Sequence, residues 1–316
     1  MAEQKNLVRP VRRWIATLLL LLILVTWLDV PDLMAELGRL PAWILLPALV
    51  LTVMQVCMSA WRWVFTARCL RLALPYGVAV KEYYLATFLN QVLPGGVVGD
   101  VNRAWRHSQD AHSRLSSIHA VVIERLSGQL VLFLLAGMFL SRQWAAGALT
   151  HASVQPPEGS GLLDFGIAAG LMAITTAIVV GLFRARLAHY GHHLMRDLRS
   201  GLLGWPALPV QVLSSLVVVG SYLAVFLVLA FGAGYLQEGV SVCLLLALCS
   251  GLLVSMVIPV TVAGWGVREG AAAVLWPLAG LPAEQGVALS IGYGIIVLLS
   301  SLPGALFMLS SAATAR

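Results

Sequence analysis

The sequence predicts an all-α polytopic membrane protein with about six spanning helices and two re-entrant broken helical segments, arranged as an inverted repeat. Three observations carry that expectation. Of 316 residues, 59% are hydrophobic and 11% charged, with a mean hydropathy of +0.89, whereas a soluble domain carries about 25% charged residues. Several apolar runs approach or exceed the roughly 20 residues needed to cross a bilayer. Two Gly-rich stretches, Leu93–Arg103 and Pro259–Gly270, interrupt the apolar sequence with residues that oppose a continuous helix.

The first apolar run, Trp14–Leu28, follows Lys5, Arg9, Arg12 and Arg13 as a signal peptide would. No small-residue cleavage pattern succeeds it, so a retained first helix is expected. Ala42–Trp61, Ile118–Leu140, Leu162–Phe183, Ala207–Phe231 and Gly286–Leu309 are the further candidate spans. Glu82–Leu93 is different, because its 12 residues would rise only about 18 Å against a hydrocarbon core of about 30 Å. It should enter the membrane, break at Pro94, Gly95 and Gly96, and leave on the side it came from. Broken backbone at membrane depth survives only where it is buried in protein or lines a wet cavity. The second break lies between Val240–Ile258, which is long enough to span, and Ala271–Leu281, so length alone does not decide its path.

The charges favour the re-entrant path. With the N-terminus in the cytoplasm and both breaks re-entrant, 17 of the 20 Lys and Arg residues fall on or near the cytoplasmic side, and only Arg39, Arg142 and Arg268 fall elsewhere. Arg62 is counted there as a residue just past the end of a span. If the first break crossed fully, the clusters around Arg106 and Arg184 would both move outside and the bias would collapse. Both termini are then cytoplasmic. The chain reads as one membrane domain, residues 1–316, whose halves (about 1–150 and 160–316) each run span, span, break, span. The outer loop Ser153–Gly161 joins them. Setting Gly95 against Gly264 places Asp100 opposite Glu269 without a gap. Inverted repeats with breaks at matching positions are the architecture of secondary transporters, with the site at the repeat interface.

The candidate site residues are therefore those of the breaks and the charges near them. Pro94, Gly95, Gly96, Gly99, Asp100 and Arg103 belong to the first break, and Gly264, Trp265, Gly266, Arg268 and Glu269 to the second. Glu124 and Arg125 lie about 9 Å into the helix that starts near Ile118. A charge near the bilayer centre costs at least about 2.5–3.5 kcal/mol, so such residues pair or line a polar path. The alternatives are that Arg125 snorkels from a helix end, that Arg268–Glu269 is a loop-tip ion pair, and that Gly95/Gly99 and Gly266/Gly270 only let helices pack closely. Broken helix ends and guanidinium groups together favour an anionic, phosphate-bearing ligand.

Other features point to no further chemistry. Cys57, Cys69, Cys243 and Cys249 show no metal spacing. His189, His192 and His193 sit in a basic stretch expected to face lipid head groups rather than a metal. Trp14, Trp27, Trp43, Trp61, Trp63, Tyr83 and Tyr84 are expected as interfacial anchors. No nucleotide-binding or zinc motif occurs, so no cofactor, metal or nucleic-acid partner is expected.

Three motifs carry a resemblance: Asn90-Gln91-Val92-Leu93-Pro94-Gly95-Gly96-Val97-Val98-Gly99-Asp100 with Arg103; Glu124-Arg125, where Asp-Arg is the expected form; and Gly264-Trp265-Gly266-Val267-Arg268-Glu269-Gly270. Together they resemble the lysylphosphatidylglycerol synthase transmembrane family, the flippase-like domain, over essentially the whole chain. In the multiple peptide resistance factor such a domain precedes an aminoacyltransferase, for which these 316 residues leave no room. The resemblance therefore implies lipid handling without lysyl transfer: a translocase of a bacterial inner membrane for an anionic phospholipid or polyprenyl-linked lipid. In that role Arg103, Arg125 and Arg268 would hold the phosphate, while Asp100, Glu124 and Glu269 pair with them or accept a cationic part of the cargo. The rival readings are an intramembrane lipid-modifying enzyme and a non-transporting partner of a lipid-synthesis enzyme.

Overall fold

The computed structural model describes residues 2–93, 96–110, 113–147, 191, 193–257 and 261–314. Its helices are α1 (Ala2–Trp27), α2 (Val30–Gly38), α3 (Leu45–Cys69), α4 (Tyr76–Val92), α5 (Val98–Asp110), α6 (Arg114–Ala145), α7 (Ala207–Gly232), α8 (Val242–Ser255), α9 (Val267–Leu278) and α10 (Ala283–Thr314). A 3-10 turn, Ala42–Ile44, leads into α3, and a π-turn, Arg199–Leu203, precedes α7. Side-chain caps start several helices: Asp29 accepts from the Asp32 N–H, Ser113 from Ser116 and Ser241 from Leu244.

Four stretches are long and apolar enough to cross a membrane: Ala42–Cys69, Arg114–Ala145, Ala207–Gly232 and Ala283–Leu309. Thr17–Trp27 and Val30–Gly38, bent by 99°, form a fifth if the pair is counted as one span. The chain is thus an all-α polytopic membrane protein with four to five long apolar spans among the described residues. The expected span Leu162–Phe183, the loop Ser153–Gly161, Pro94, Gly95, His189 and His192 lie outside those residues.

Both Gly-rich breaks are the tips of helical hairpins. On leaving its break, α5 runs back along α4: Asn90 meets Gly99 and Asp100, Arg106 bonds Glu82 at 3.0 Å, and the His107 ring reaches the Ala73 carbonyl at 3.3 Å. A Cβ on Gly99 would lie 2.0 Å from the Ala86 carbonyl oxygen, so only glycine permits this approach. The second hairpin is α8–α9, in which Gly251 faces Leu275, and Met256 faces both Gly264 and Arg268. Positive φ at Ala263, Gly264 and Gly266 turns the chain at its tip. Here α8 has 14 residues, a rise of about 21 Å, and is shorter than the expected Val240–Ile258.

The hairpins start from opposite ends of the bundle. Thr66 near the end of α3, Ile123 near the start of α6 and Gly201 just before α7 meet at one end, and α4 starts there after the turn that follows α3. At the other end Ile44, just before α3, packs on Gly232 at the end of α7, and α8 starts beside this contact. One apolar cluster, built around Phe226, Leu229, Leu248, Leu252, Trp276 and Leu289, holds α7, α8, α9 and α10 together. A smaller one, around Val56, Ala60, Trp63, Ala67, Ala79 and Ala120, holds α3, α4 and α6.

Two expected interfacial anchors are in fact interior. Trp63 is fully buried and Tyr83 nearly so, because both pack on the Arg103 guanidinium. Trp14, Trp27, Trp43 and Trp61 are exposed. Arg62, expected at the membrane edge, is buried, because α3 continues to Cys69 and carries it inside the bundle.

Candidate functional site

Glu124, fully buried on α6, gathers two arginines and a tyrosine hydroxyl from three other helices. Its Oε1 accepts from Arg62 of α3 and, at 3.1 Å, from the Tyr83 hydroxyl of α4; its Oε2 accepts from Arg103 of α5 at 2.7 Å. Arg103 Nε also donates to Asp100 Oδ1 at 2.9 Å. Its guanidinium lies 4.7 Å from the Trp63 ring and 4.4 Å from the Tyr83 ring. That stacking offsets the absence of a hydrogen-bond acceptor at its buried Nη1. Arg125 donates from Nε and Nη2 to Asp100 Oδ1 at 3.0 and 2.6 Å. Asn90 closes the other side of Asp100, donating to Oδ2 at 3.1 Å while its own Oδ1 accepts from the Gly99 N–H. Arg62 donates to Ser215 of α7 at 2.9 Å. Gly128 leaves the room for that guanidinium, since a Cβ there would lie 3.1 Å from Arg62 Nη2.

The network opens on a cavity of about 630 Å³ between the two hairpin tips. Gly96, Val97, Asp100 and Val101 line it from the first break; Met256, Val257, Thr261, Ala263 and Gly264 line it from the second. Among the described residues the charged side chains on its wall are Arg62, Asp100 and Arg125, and the remaining wall is largely apolar, with Tyr83, Tyr222 and Tyr293 among it. The Arg125 side chain is 38% exposed, against 0% for Arg103 and 4% for Arg62. Arg125 is therefore the most exposed of the three arginine side chains.

At the second tip the charges form a closed pair. Arg268 Nη2 donates to Glu269 Oε1 at 2.8 Å, and Arg268 Nε donates to Ser290 Oγ at 2.6 Å. Ser290 in turn donates to Glu269 at 2.7 Å. Glu269 Oε2 accepts the Gly266 N–H at 2.7 Å and so caps α9. The Arg268 guanidinium lies 5.2 Å from both the Trp265 and Tyr293 rings. Both charged side chains are buried and neither lines the cavity.

The sequence of the chain matches the family described as Lysylphosphatidylglycerol synthase TM region over residues 14–304. The chain belongs to this family. No curated protein and no solved structure shows significant similarity to it. The match to the lysylphosphatidylglycerol synthase TM region is to a membrane region rather than to a catalytic domain. Among the described residues no group of three or more His, Cys, Asp or Glu could hold a metal ion.

In this family member the structure joins Asp100, Arg103, Glu124 and Arg125 in one network and sets Arg268 with Glu269 in another. Gly96, Asp100, Arg125 and Gly264 reach the cavity; Gly99, Arg103, Glu124, Trp265, Gly266, Arg268 and Glu269 stand behind its wall. Sequence reasoning missed Arg62, Tyr83, Asn90, Ser215, Ser290 and Tyr293 as parts of the two networks. Asn90 carried a signal, since it opens the first motif. Arg62 carried a weaker one, because its apolar helix continues past Trp61 with Val64 and Phe65.

Proposed function

We propose that this protein is a lipid translocase of a bacterial inner membrane, which holds the head group of an anionic or phosphate-bearing lipid in the cavity between the two hairpin tips. The observation that carries the reading is Arg125: a side chain 38% exposed on the wall of a cavity of about 630 Å³ that residues of both Gly-rich breaks line. In this reading Arg125 meets the phosphate, with Asp100 and the first-break residue Gly96 lining the cavity beside it and Gly99 holding α5 against α4 behind the wall. Arg103, Glu124 and Arg62 hold Arg125 and Asp100 in place, and Trp265, Gly266, Arg268 and Glu269 fix the opposite tip. The apolar wall and the lipid around the bundle take the acyl chains.

The chain acts as one domain with two halves of opposite orientation, each contributing spans and one re-entrant hairpin. Supporting this, α4, α5, α8 and α9 have 17, 13, 14 and 12 residues, and the hairpins they form start from opposite ends of the bundle. With the basic residues inside, the end where α4 starts is cytoplasmic, as are both termini. Alternating exposure then follows from rocking one hairpin tip against the other. A lipid-synthesis enzyme is the natural source of cargo, in keeping with the name of the family.

The test is movement of head-group-labelled anionic lipid across proteoliposome membranes. Wild-type protein should move the lipid, and Arg125→Gln should lower the rate by roughly tenfold or more, as expected for loss of a charge-assisted contact worth about 1.5–3 kcal/mol. Equal rates from folded wild type and Arg125→Gln would remove the cavity from the transport path.

A further inference from the structure

We infer that the cavity selects head groups that carry one net negative charge, as a phosphodiester does, over head groups that carry two or more. The inference rests on the reading of the cavity as a lipid site and names its substrate class. Arg62, Asp100 and Arg125 line the wall; Arg125 bonds Asp100, and from behind Glu124 bonds Arg62 and Arg103 bonds Asp100 and Glu124. Three guanidiniums against two carboxylates leave a net charge of +1. Arg268 and Glu269, behind the opposite wall, cancel each other.

Neither carboxylate has an oxygen free for a cationic cargo. Asp100 Oδ1 takes N–H groups from Arg103 and Arg125, and Oδ2 takes Asn90. Glu124 spends both oxygens on Arg62, Tyr83 and Arg103. Among the described residues a ligand therefore finds one uncompensated positive charge, reached through Arg125, in surroundings that are otherwise apolar or neutral. One phosphate charge balances it. A second would be buried among the described residues without a partner, which is strongly unfavourable in a low-dielectric site. The shared chemistry is a lipid phosphodiester, supplied by a glycerophospholipid or by a polyprenyl phosphosugar; phosphomonoesters and diphosphates are excluded.

The experiment measures lipid dissociation constants of the full chain in detergent by native mass spectrometry. The probes are phosphatidylglycerol, a polyprenyl phosphosugar, phosphatidic acid and a polyprenyl diphosphate. At about pH 8 a phosphomonoester, with its second pKa near about 6, is a dianion. Wild type should bind each phosphodiester at least about tenfold more tightly than its dianionic counterpart. Asp100→Asn, which raises the net charge to +2, should narrow that ratio about tenfold or reverse it. The tighter of the two phosphodiesters identifies the source.

Wild-type binding of dianionic probes as tight as that of diesters, and lost in Arg125→Gln, would overturn the charge selection while keeping the cavity as the lipid site. Binding of no probe, or binding indifferent to Arg125→Gln, would overturn the lipid-site reading itself. Should Asp100→Asn fail to fold, the wild-type ratio together with Arg125→Gln decides.

Discussion

At the tip of α4–α5 the charges form a network of five groups that reaches a cavity; at the tip of α8–α9 two charges and a serine form a closed pair that does not. Both tips are Gly-rich, both put an arginine over aromatic rings, and both cap or brace the returning helix. The difference lies in stoichiometry. Arg268 and Glu269 neutralise each other, so their pair can serve the fold alone. Three arginines against two acids leave a net charge of +1, beside the 38% exposed side chain of Arg125. The two tips thus share these features and differ in whether their charges balance.

The largest expected effect tests the network's centre. Glu124→Ala would leave Arg62 and Arg103 buried without their shared carboxylate, and breaking a buried ionic network from one side costs about 3–5 kcal/mol. The melting temperature of the detergent-solubilised protein should fall sharply, or folded protein should be lost. A melting temperature within the error of wild type would mean that water reaches these groups. At the other tip the same logic gives a different outcome, because a neutral pair can be replaced whole. Arg268→Met alone should also cost about 3–5 kcal/mol, whereas Arg268→Met with Glu269→Gln should recover most of it, to within about 1 kcal/mol of wild type. If the double variant is folded but does not move lipid, the second tip is part of the site and the comparison breaks.

Glycines give the next largest contrast. Gly99→Ala forces a Cβ to within 2.0 Å of the Ala86 carbonyl oxygen, so α5 must move off α4 at a cost of roughly 1–3 kcal/mol. Gly270, its counterpart in the second small-residue pair, has nothing within 4 Å of an added Cβ. Gly270→Ala should therefore be neutral or stabilise α9 by up to about 1 kcal/mol. Thermal stability of the two variants side by side checks this; an equal loss in both would mean that Gly270 also packs against a helix.

The sequence displayed the parts of the fold that depend on backbone chemistry and hydropathy. Pro94 and the clustered glycines mark the first break, and Gly264 and Gly266 mark the second; the helix before the first break is longer than the expected Glu82–Leu93, because α4 runs Tyr76–Val92, 17 residues. The long spans are visible as apolar runs. The site was legible only in part, because partnership between side chains depends on how helices rotate against one another. Glu124 stood out as a charge in an apolar run, but nothing local says that Arg62, 62 positions earlier, would be its partner. Tyr83 and Trp63 look like interfacial anchors because an aromatic residue beside a span end is ambiguous. Only the buried arginine between them reveals the other use.

The smallest effect concerns the end of the bundle where the second hairpin starts. There Arg39 bonds Glu36 within α2 and Glu238 in the turn that leads to α8, and the Tyr235 hydroxyl donates to Glu36 at 2.7 Å. The Arg39 and Glu238 side chains are about a third and a half exposed, so water already screens the bridge. Exposed ion pairs of this kind contribute about 0–1 kcal/mol. Arg39→Met should shift the melting temperature only slightly. Its value is in transport: if the second hairpin is anchored here while its tip moves, the substitution should alter the rate of lipid movement without altering lipid affinity. A change in affinity instead would tie this end to the cavity directly, and the second hairpin could no longer be treated as the closed partner of the first.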